Sequence, residues 1–244
     1  LYNHLKDVSA ISHSLYLNHT EDNKNNKLAL IIGDIPGIQN YIFNIVNKKP
    51  AKILRGRSIY VQILTRIFSN IFLRNFALTE VNIIMLAGGK FYILAPFKSD
   101  FRENYQKSIS EVEDFLAKNF FYDIKFAAGY SDFNYDTLKN KAINFGEIID
   151  KASHNLLTGR NKLFKNRFIN DENFKFVLNT EYIENNANES DNIKCAFTDR
   201  PIRKGFMKHI SLEDGEPEIQ VERQVYNEYK IGSFAALSTV VFEL

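Results

Sequence analysis

Asp34 closes a solid apolar run, Leu28 to Ile32, and is bracketed by Gly33 and by Pro36-Gly37. A carboxylate at the mouth of a strand, beside backbone free to approach a ligand, suits a nucleotide or a metal; a tight turn leading into a helix accommodates the same residues. An acid placed there can hold Mg²⁺ that bridges phosphate oxygens and offsets their charge during in-line attack. One acid does not make a two-metal site. The turn where partner acids would sit, Gly88-Gly89, is followed by Lys90 and Phe91, and a lysine can bind a phosphate but cannot ligate a cation. Lys48, Lys49, Lys52, Arg55 and Arg57 form the densest cationic cluster of the chain, with Gly56 and Ser58 at its end. It suits a triphosphate or an RNA backbone, and a solvated loop accommodates it equally.

Other chemistries find less support. Cys195, in "KCAFTDRPI", is the only cysteine. A zinc ribbon would need a second thiolate at the position of Thr198 and a further pair beyond, so no thiolate zinc site and no disulfide within the chain is expected. His4, His13, His19, His154 and His209 show no zinc-type spacing. There is no phosphate-loop pattern and no serine or cysteine nucleophile motif.

The elements that must position these residues follow from hydrophobic periodicity. Tyr2 to Leu17 reads as a helix. A polar linker leads to a strand, Lys27 to Gly33, and then to a helix from Gly37 to Val46. After the basic loop, Ser58 is expected to cap a long helix with Val61, Leu64, Ile67, Phe68, Ile71 and Phe72 on its apolar stripe. Two apolar arms about Gly88-Gly89 read as a hairpin. A helix from Phe101 to Phe120, a strand from Asp123 to Tyr130 and a helix from Tyr135 to Leu157 complete the series. The order is α/β (α+β), a ferredoxin-like βαββαβ palm of the nucleotidyl cyclase and polymerase type with one inserted helix, followed by a small mixed module. In that module "FKFVLN" is the best strand candidate, "NNANESDN" a flexible loop, and Asp199-Arg200-Pro201 and Asp214-Gly215 are turns.

The bulk numbers exclude some classes. Basic residues number 31 and acidic ones 29, so polyanion contact must come from local patches. Hydrophobic residues make 45% of the chain, yet no run reaches the roughly 20 residues that span a bilayer, and the opening lacks a signal-peptide layout. A cytoplasmic protein without a membrane partner is the expectation. Both ends read as cut from something longer.

"GDIPGIQNYIF" (33–43), "KKPAKILRGRSIYVQIL" (48–64) and "LAGGKFYILAP" (86–96) come in fixed order. Together they resemble the first palm domain of the large subunit of type III CRISPR effector complexes, most closely the Csm (III-A) subtype. That family shows Gly-Asp-x-Ser-Gly-Ile-Gln, a basic loop ending Leu-Arg-x-Arg-Ser, and a Gly-Gly turn before Phe-Tyr. The opening resembles the last helix of the family's HD nuclease domain, and "KCAFTDRPI" the small adaptor between its two palms. The implied division is 1–20 for the end of the HD-type domain, 24–157 for the palm, 158–232 for the adaptor and 233–244 for the start of a following element.

The resemblance implies that the complete protein binds ATP between two palms and joins ATP into cyclic oligoadenylates when its complex captures target RNA. It also implies that an HD domain before Leu1 cuts single-stranded DNA. The catalytic Gly-Gly-Asp-Asp turn and its Mg or Mn would belong to a second palm beyond Leu244, so this piece alone would be inactive and hold no catalytic residue. Gly33, Asp34, Gly37, Gln39, Gly88, Gly89 and Lys90 would form the nucleotide rim. Lys52, Arg55 and Arg57 would contact phosphate or subunits. Metal is expected at none of these positions except, as a candidate for Mg, Asp34; zinc is not expected. The implied partners are the second palm, other Csm subunits, and CRISPR RNA and target RNA through the complex. Pro36 stands where the family has serine, the glycine turn carries no acid, and the adaptor lacks its thiolates. A catalytically silent scaffold that docks effector subunits and guide RNA is the alternative. A diguanylate-type cyclase would need an acidic turn, and an RNA-binding sheet would need exposed aromatics.

Overall fold

The computed structural model describes residues 2–19, 26–45, 51–120, 124–161, 163, 193–202, 205–212 and 217–241. The chain forms two compact units, one of residues 1–37 and 61–163, the other of 38–60 and 164–244. Residues 38–60, expected with the palm, thus fall in the second unit, and residues 1–20, expected to close an upstream domain, fall in the first.

The first unit is built on β1 (Lys27–Asp34), β2 (Ile83–Ala87), β3 (Lys90–Pro96) and β4 (Ala127–Asn134). They form one sheet of order β2-β3-β1-β4 with every neighbouring pair antiparallel, the β part of a mixed α/β unit. β1 is central and buried from Leu28 to Asp34, which explains its continuous rather than alternating apolar pattern. Both faces of the sheet are covered. Leu28, Leu30 and Ile32 point into a core shared with Ala10 of α1 (Tyr2–His19) and with Ile148, Ala152 and Leu156 of α6 (Phe145–Arg160). On the opposite face, Phe68 and Phe72 of α3 (Ala51–Asn75) meet Phe91 and Phe126, and Phe72 also meets Tyr105 of α4 (Phe101–Phe120). α1 is pinned by polar side chains as well. Buried Asn82 donates to Ser14 Oγ at 3.0 Å and to the Leu94 carbonyl at 2.9 Å, and its Oδ1 lies 2.8 Å from His13 Nδ1.

Three expectations need correction. Ser58 does not cap a helix: α3 begins at Ala51, so "AKILRGRS" is helical and its cations stand on a helix instead of a loop. Ala, Lys, Leu and Arg are all strong helix formers, and Gly56 fits because another helix lies against it, as described below. The fourth strand lies at 127–134 instead of 123–130; Ser131 and Asp132, which look like turn residues, pair with Leu30 and Ala29 of β1. The helix expected over 135–157 is two helices, α5 (Tyr135–Lys139) and α6. Lys141 takes a left-handed φ of 56° between them. Each has its own asparagine cap: Asn134 accepts from the Asp136 N–H at 2.8 Å, and Asn144 from Glu147 at 2.9 Å.

The second unit contains α2 (Ile38–Phe43), the start of α3, the antiparallel pair β5 (Met207–Ile210) and β6 (Ile219–Glu222), and α7 (Arg223–Val241). α2 is shorter than the helix expected over 37–46, and α7 runs across the boundary expected at 232/233. Cys195, Phe197, Ile202, Ile210, Val221, Val225 and Tyr229 pack with Ile53 into one core. Cys195 is an apolar member of that core, and the buried Oγ1 of Thr198 has no hydrogen-bond partner. "FKFVLN", "NNANESDN" and the Asp214-Gly215 turn lie outside the described residues. Among the described residues no helix is long and apolar enough to cross a membrane.

Candidate functional site

The end of β1 and the glycine turn are neighbours. Asp34 is the register partner of Lys90, and the Ile35 N–H donates to the Gly89 carbonyl at 2.9 Å. That bond forms because the hairpin turn takes positive φ at both Gly88 (58°) and Gly89 (84°), a conformation open to glycine without a Cβ clash. The chain then leaves β1 through Pro36 and Gly37, the latter at φ 78°. A Cβ on Gly37 or on Gly88 would meet nothing within 4 Å, so backbone there borders open space. Lys90 is exposed beside it.

Gly33 serves a different purpose. A Cβ there would lie 2.2 Å from the Phe91 ring, which is buried against Phe72 and Phe126. Core packing therefore requires glycine at position 33, whatever its place in the expected rim.

Asp34 is also engaged. Its side chain is 4% exposed and forms an ion pair with Arg160 Nη2, in the last turn of α6. Two glycines bring Arg160 there. A Cβ on Gly129 would lie 2.2 Å from the Leu156 nitrogen, and one on Gly159 2.6 Å from the Ala128 carbonyl oxygen, so α6 lies with its backbone against β4. Arg160 was not found from sequence, because 126 positions separate it from Asp34 and no local pattern links them. A lone carboxylate already paired with a guanidinium does not fit Mg²⁺, and among the described residues no group of three or more His, Cys, Asp or Glu converges as a metal site.

The remaining expected residues belong to the second unit. Gln39 is exposed on the first turn of α2. Lys52 Nζ donates to the Tyr229 hydroxyl at 3.1 Å and Arg55 Nη1 to the Gly232 carbonyl at 3.3 Å. Arg57 is buried: its Nε donates to Glu228 Oε2 at 2.8 Å and its Nη1 to the carbonyls of Tyr41 (2.7 Å) and Asn44 (3.1 Å). Glu228 Oε1 in turn accepts from the Tyr41 hydroxyl at 2.7 Å and from Gln224 at 3.0 Å. Burial and the neighbouring Glu228 carboxylate push the Tyr41 phenol far above its ordinary value. Arg57 thus caps carbonyls at the end of α2, and its donors are not free for a phosphate. Lys48 and Lys49 lie outside the described residues.

Comparison with known proteins covers most of this architecture. The family model for the Csm1 subunit domain B matches residues 27–180. The chain is 34% identical over 142 residues to the CRISPR system single-strand-specific deoxyribonuclease Cas10/Csm1 (subtype III-A) of Methanocaldococcus jannaschii, covering 46% of this chain and 17% of that protein. It is 25% identical over 191 residues to the protein of the same description from Enterococcus italicus, covering 67% of this chain and 25% of that one. It therefore spans a quarter or less of the length of these relatives. Among solved structures, a Csm1-Csm4 cassette in complex with one ATP aligns with a TM-score of 0.60 and 25% identity, over 72% of this chain and 25% of the other. The apo Csm1-Csm4 cassette aligns with a TM-score of 0.60 and 20% identity, over 91% and 30%.

Proposed function

The chain belongs to the Csm1 subunit family of type III-A CRISPR systems, and from that premise we propose that it is the first palm and adaptor of a large effector subunit, the nucleotide-holding half of a cyclic oligoadenylate synthase. The sheet order β2-β3-β1-β4 with antiparallel neighbours supports a ferredoxin-like palm, since a split βαβ arrangement leaves the first and third strands side by side in the centre. One observation carries the functional reading: the Ile35–Gly89 hydrogen bond joins two glycine turns at one end of the sheet, where Gly37 and Gly88 border open space.

ATP would lie against Gly37 and Gly88, where missing side chains let a phosphate or ribose approach backbone donors, while Gly89, buried behind them, holds the turn to Ile35. In the joined protein a ribose 3′-hydroxyl attacks the α-phosphorus of a second ATP. The new O–P bond forms as the bond to the β-phosphate oxygen breaks, pyrophosphate leaves, and the hydroxyl proton passes to solvent or to a base of the second palm. Divalent metal bound by the acids of that second palm would offset the charge on the leaving group. This chain's own contribution is binding and orientation. A solved relative with one ATP supports nucleotide binding, and the Csm1-Csm4 cassettes support Csm4 as a partner. Nuclease activity would reside in a separate HD domain.

The scaffold alternative also has specific support. Asp34 is closed by Arg160, and Pro36 offers no hydroxyl. Calorimetry with ATP and Mg²⁺ on the chain, alone and with the second palm supplied, decides: heat of binding in either titration supports the nucleotide half, and silence in both leaves the scaffold.

A further inference from the structure

At one end of the sheet Asp34 has Lys90 as its register partner and Arg160 as its ion-pair partner. Residues directly paired across antiparallel strands leave the sheet on the same face, so the side chains of Lys90 and Asp34 emerge together, and α6 delivers Arg160 to that face. Asp34 engages Arg160 through Nη2. Its Nε is buried with no partner and is closed to solvent, while the side chain as a whole remains 35% exposed, so the donors a ligand can reach are those outside Nε. Arginine carries five N–H donors in a planar fork, and a carboxylate that grips one end fixes the direction of the others.

Two ligand chemistries compete for such a cluster. A divalent cation would have to displace the guanidinium from a carboxylate that is almost fully buried and then sit beside two full positive charges. A phosphate would take donors that are spare, from Arg160 and exposed Lys90, and leave the Asp34 bond intact. Two cations and one acid sum to one positive charge, and the helix C-terminus at Arg160, worth about half a negative charge, reduces that without reversing it.

We infer that Arg160 is a phosphate-binding residue of this site, with Lys90 as its second cation and Asp34 as the positioning group that aims the guanidinium. The inference rests on the nucleotide reading for the identity of the ligand, a nucleoside triphosphate.

The test titrates the chain with tripolyphosphate in EDTA and, separately, with ATP and Mg²⁺. Tripolyphosphate should bind the native protein without any divalent cation. Lys90→Gln keeps the ion pair and should weaken that binding about tenfold, as loss of one charge-assisted contact does. Arg160→Gln alone would strand a buried carboxylate, so the informative variant is Asp34→Asn with Arg160→Gln, which leaves two neutral amides and should also lose about tenfold. Asp34→Asn alone should keep most of the affinity, and Arg160→Lys should fall between native and Gln. Tripolyphosphate binding that is absent in the native protein, or unchanged in the double variant, overturns the inference. So does binding that requires Mg²⁺ and vanishes with Asp34→Asn. ATP binding that survives the Arg160 changes sinks the inference and spares the nucleotide reading. An Arg160-dependent tripolyphosphate affinity that ATP does not exceed does the reverse.

Discussion

Gly56 and Gly232 lie at a backbone crossing of α3 and α7. A Cβ on Gly56 would fall 1.8 Å from the Glu228 carbonyl oxygen, and one on Gly232 1.7 Å from the Lys52 carbonyl oxygen. In an open helix, Gly→Ala gains about 1 kcal/mol from reduced backbone freedom. Here the methyl meets backbone that cannot rotate away, so the two helices must separate. Gly56→Ala and Gly232→Ala are each expected to lower stability by about 2 kcal/mol or more. Urea unfolding measures this, and a stabilised Gly56→Ala would mean that the helices do not touch there.

The same crossing carries the Arg57–Glu228 pair, whose side chains are 5% and 0% exposed. Removing one partner leaves a buried charge, a loss of about 3–5 kcal/mol, whereas removing both is far milder. Glu228→Leu and Arg57→Met should therefore each destabilise strongly, with Arg57→Met/Glu228→Leu closer to the native protein than either. A double-mutant cycle reads the coupling directly. Additive losses would show the pair to be independent.

Much of this was legible in the sequence because it was local. A continuous apolar run ending Gly-Asp gave β1, and paired glycines between apolar arms gave the β2–β3 turn. What failed needed partners distant in the chain. Arg55-Gly56-Arg57-Ser58 resembles a loop running into a helix cap until α7 supplies the surface that makes glycine necessary at position 56. Ser131 and Asp132 resemble a turn until β1 is placed beside them, and Ser131 is then 2% exposed. Gly33, read as access for a ligand, is the space that Phe91 fills. The residue that decides the chemistry of Asp34, Arg160, is announced by no motif.

Tyr105 makes stability depend on alkaline pH. Burial, and secondarily the neighbouring Tyr130, raise its phenol well above the ordinary value of 10.0. The neutral phenol is the form the core accepts, so its contribution is complete below pH 10 and is lost as pH climbs from there toward the folded-state value. Tyr105→Phe keeps the ring contacts with Phe72, Phe101 and Tyr130 and removes the titration. It should match the native protein within about 1 kcal/mol at pH 7 and lose less stability between pH 10 and 11. Denaturation midpoints across that range check it. Parallel alkaline losses in the two proteins would assign the effect elsewhere, first to Tyr41, whose phenol is also raised.

Gly33 and Gly88 separate packing from ligand access at one end of the sheet. Gly33→Ala drives a methyl to within 2.2 Å of the buried Phe91 ring, so it should cost about 1–3 kcal/mol of stability. Gly88→Ala meets no neighbour within 4 Å and bears only the strain of a φ of 58°, about 1 kcal/mol. The chain should remain folded. Its methyl nevertheless projects into the space where the proposed nucleotide would lie, so ATP affinity should fall about tenfold or more while the unfolding midpoint barely moves, a loss of one close backbone approach. A folded Gly88→Ala chain that binds ATP as tightly as the native one would move the nucleotide away from this turn.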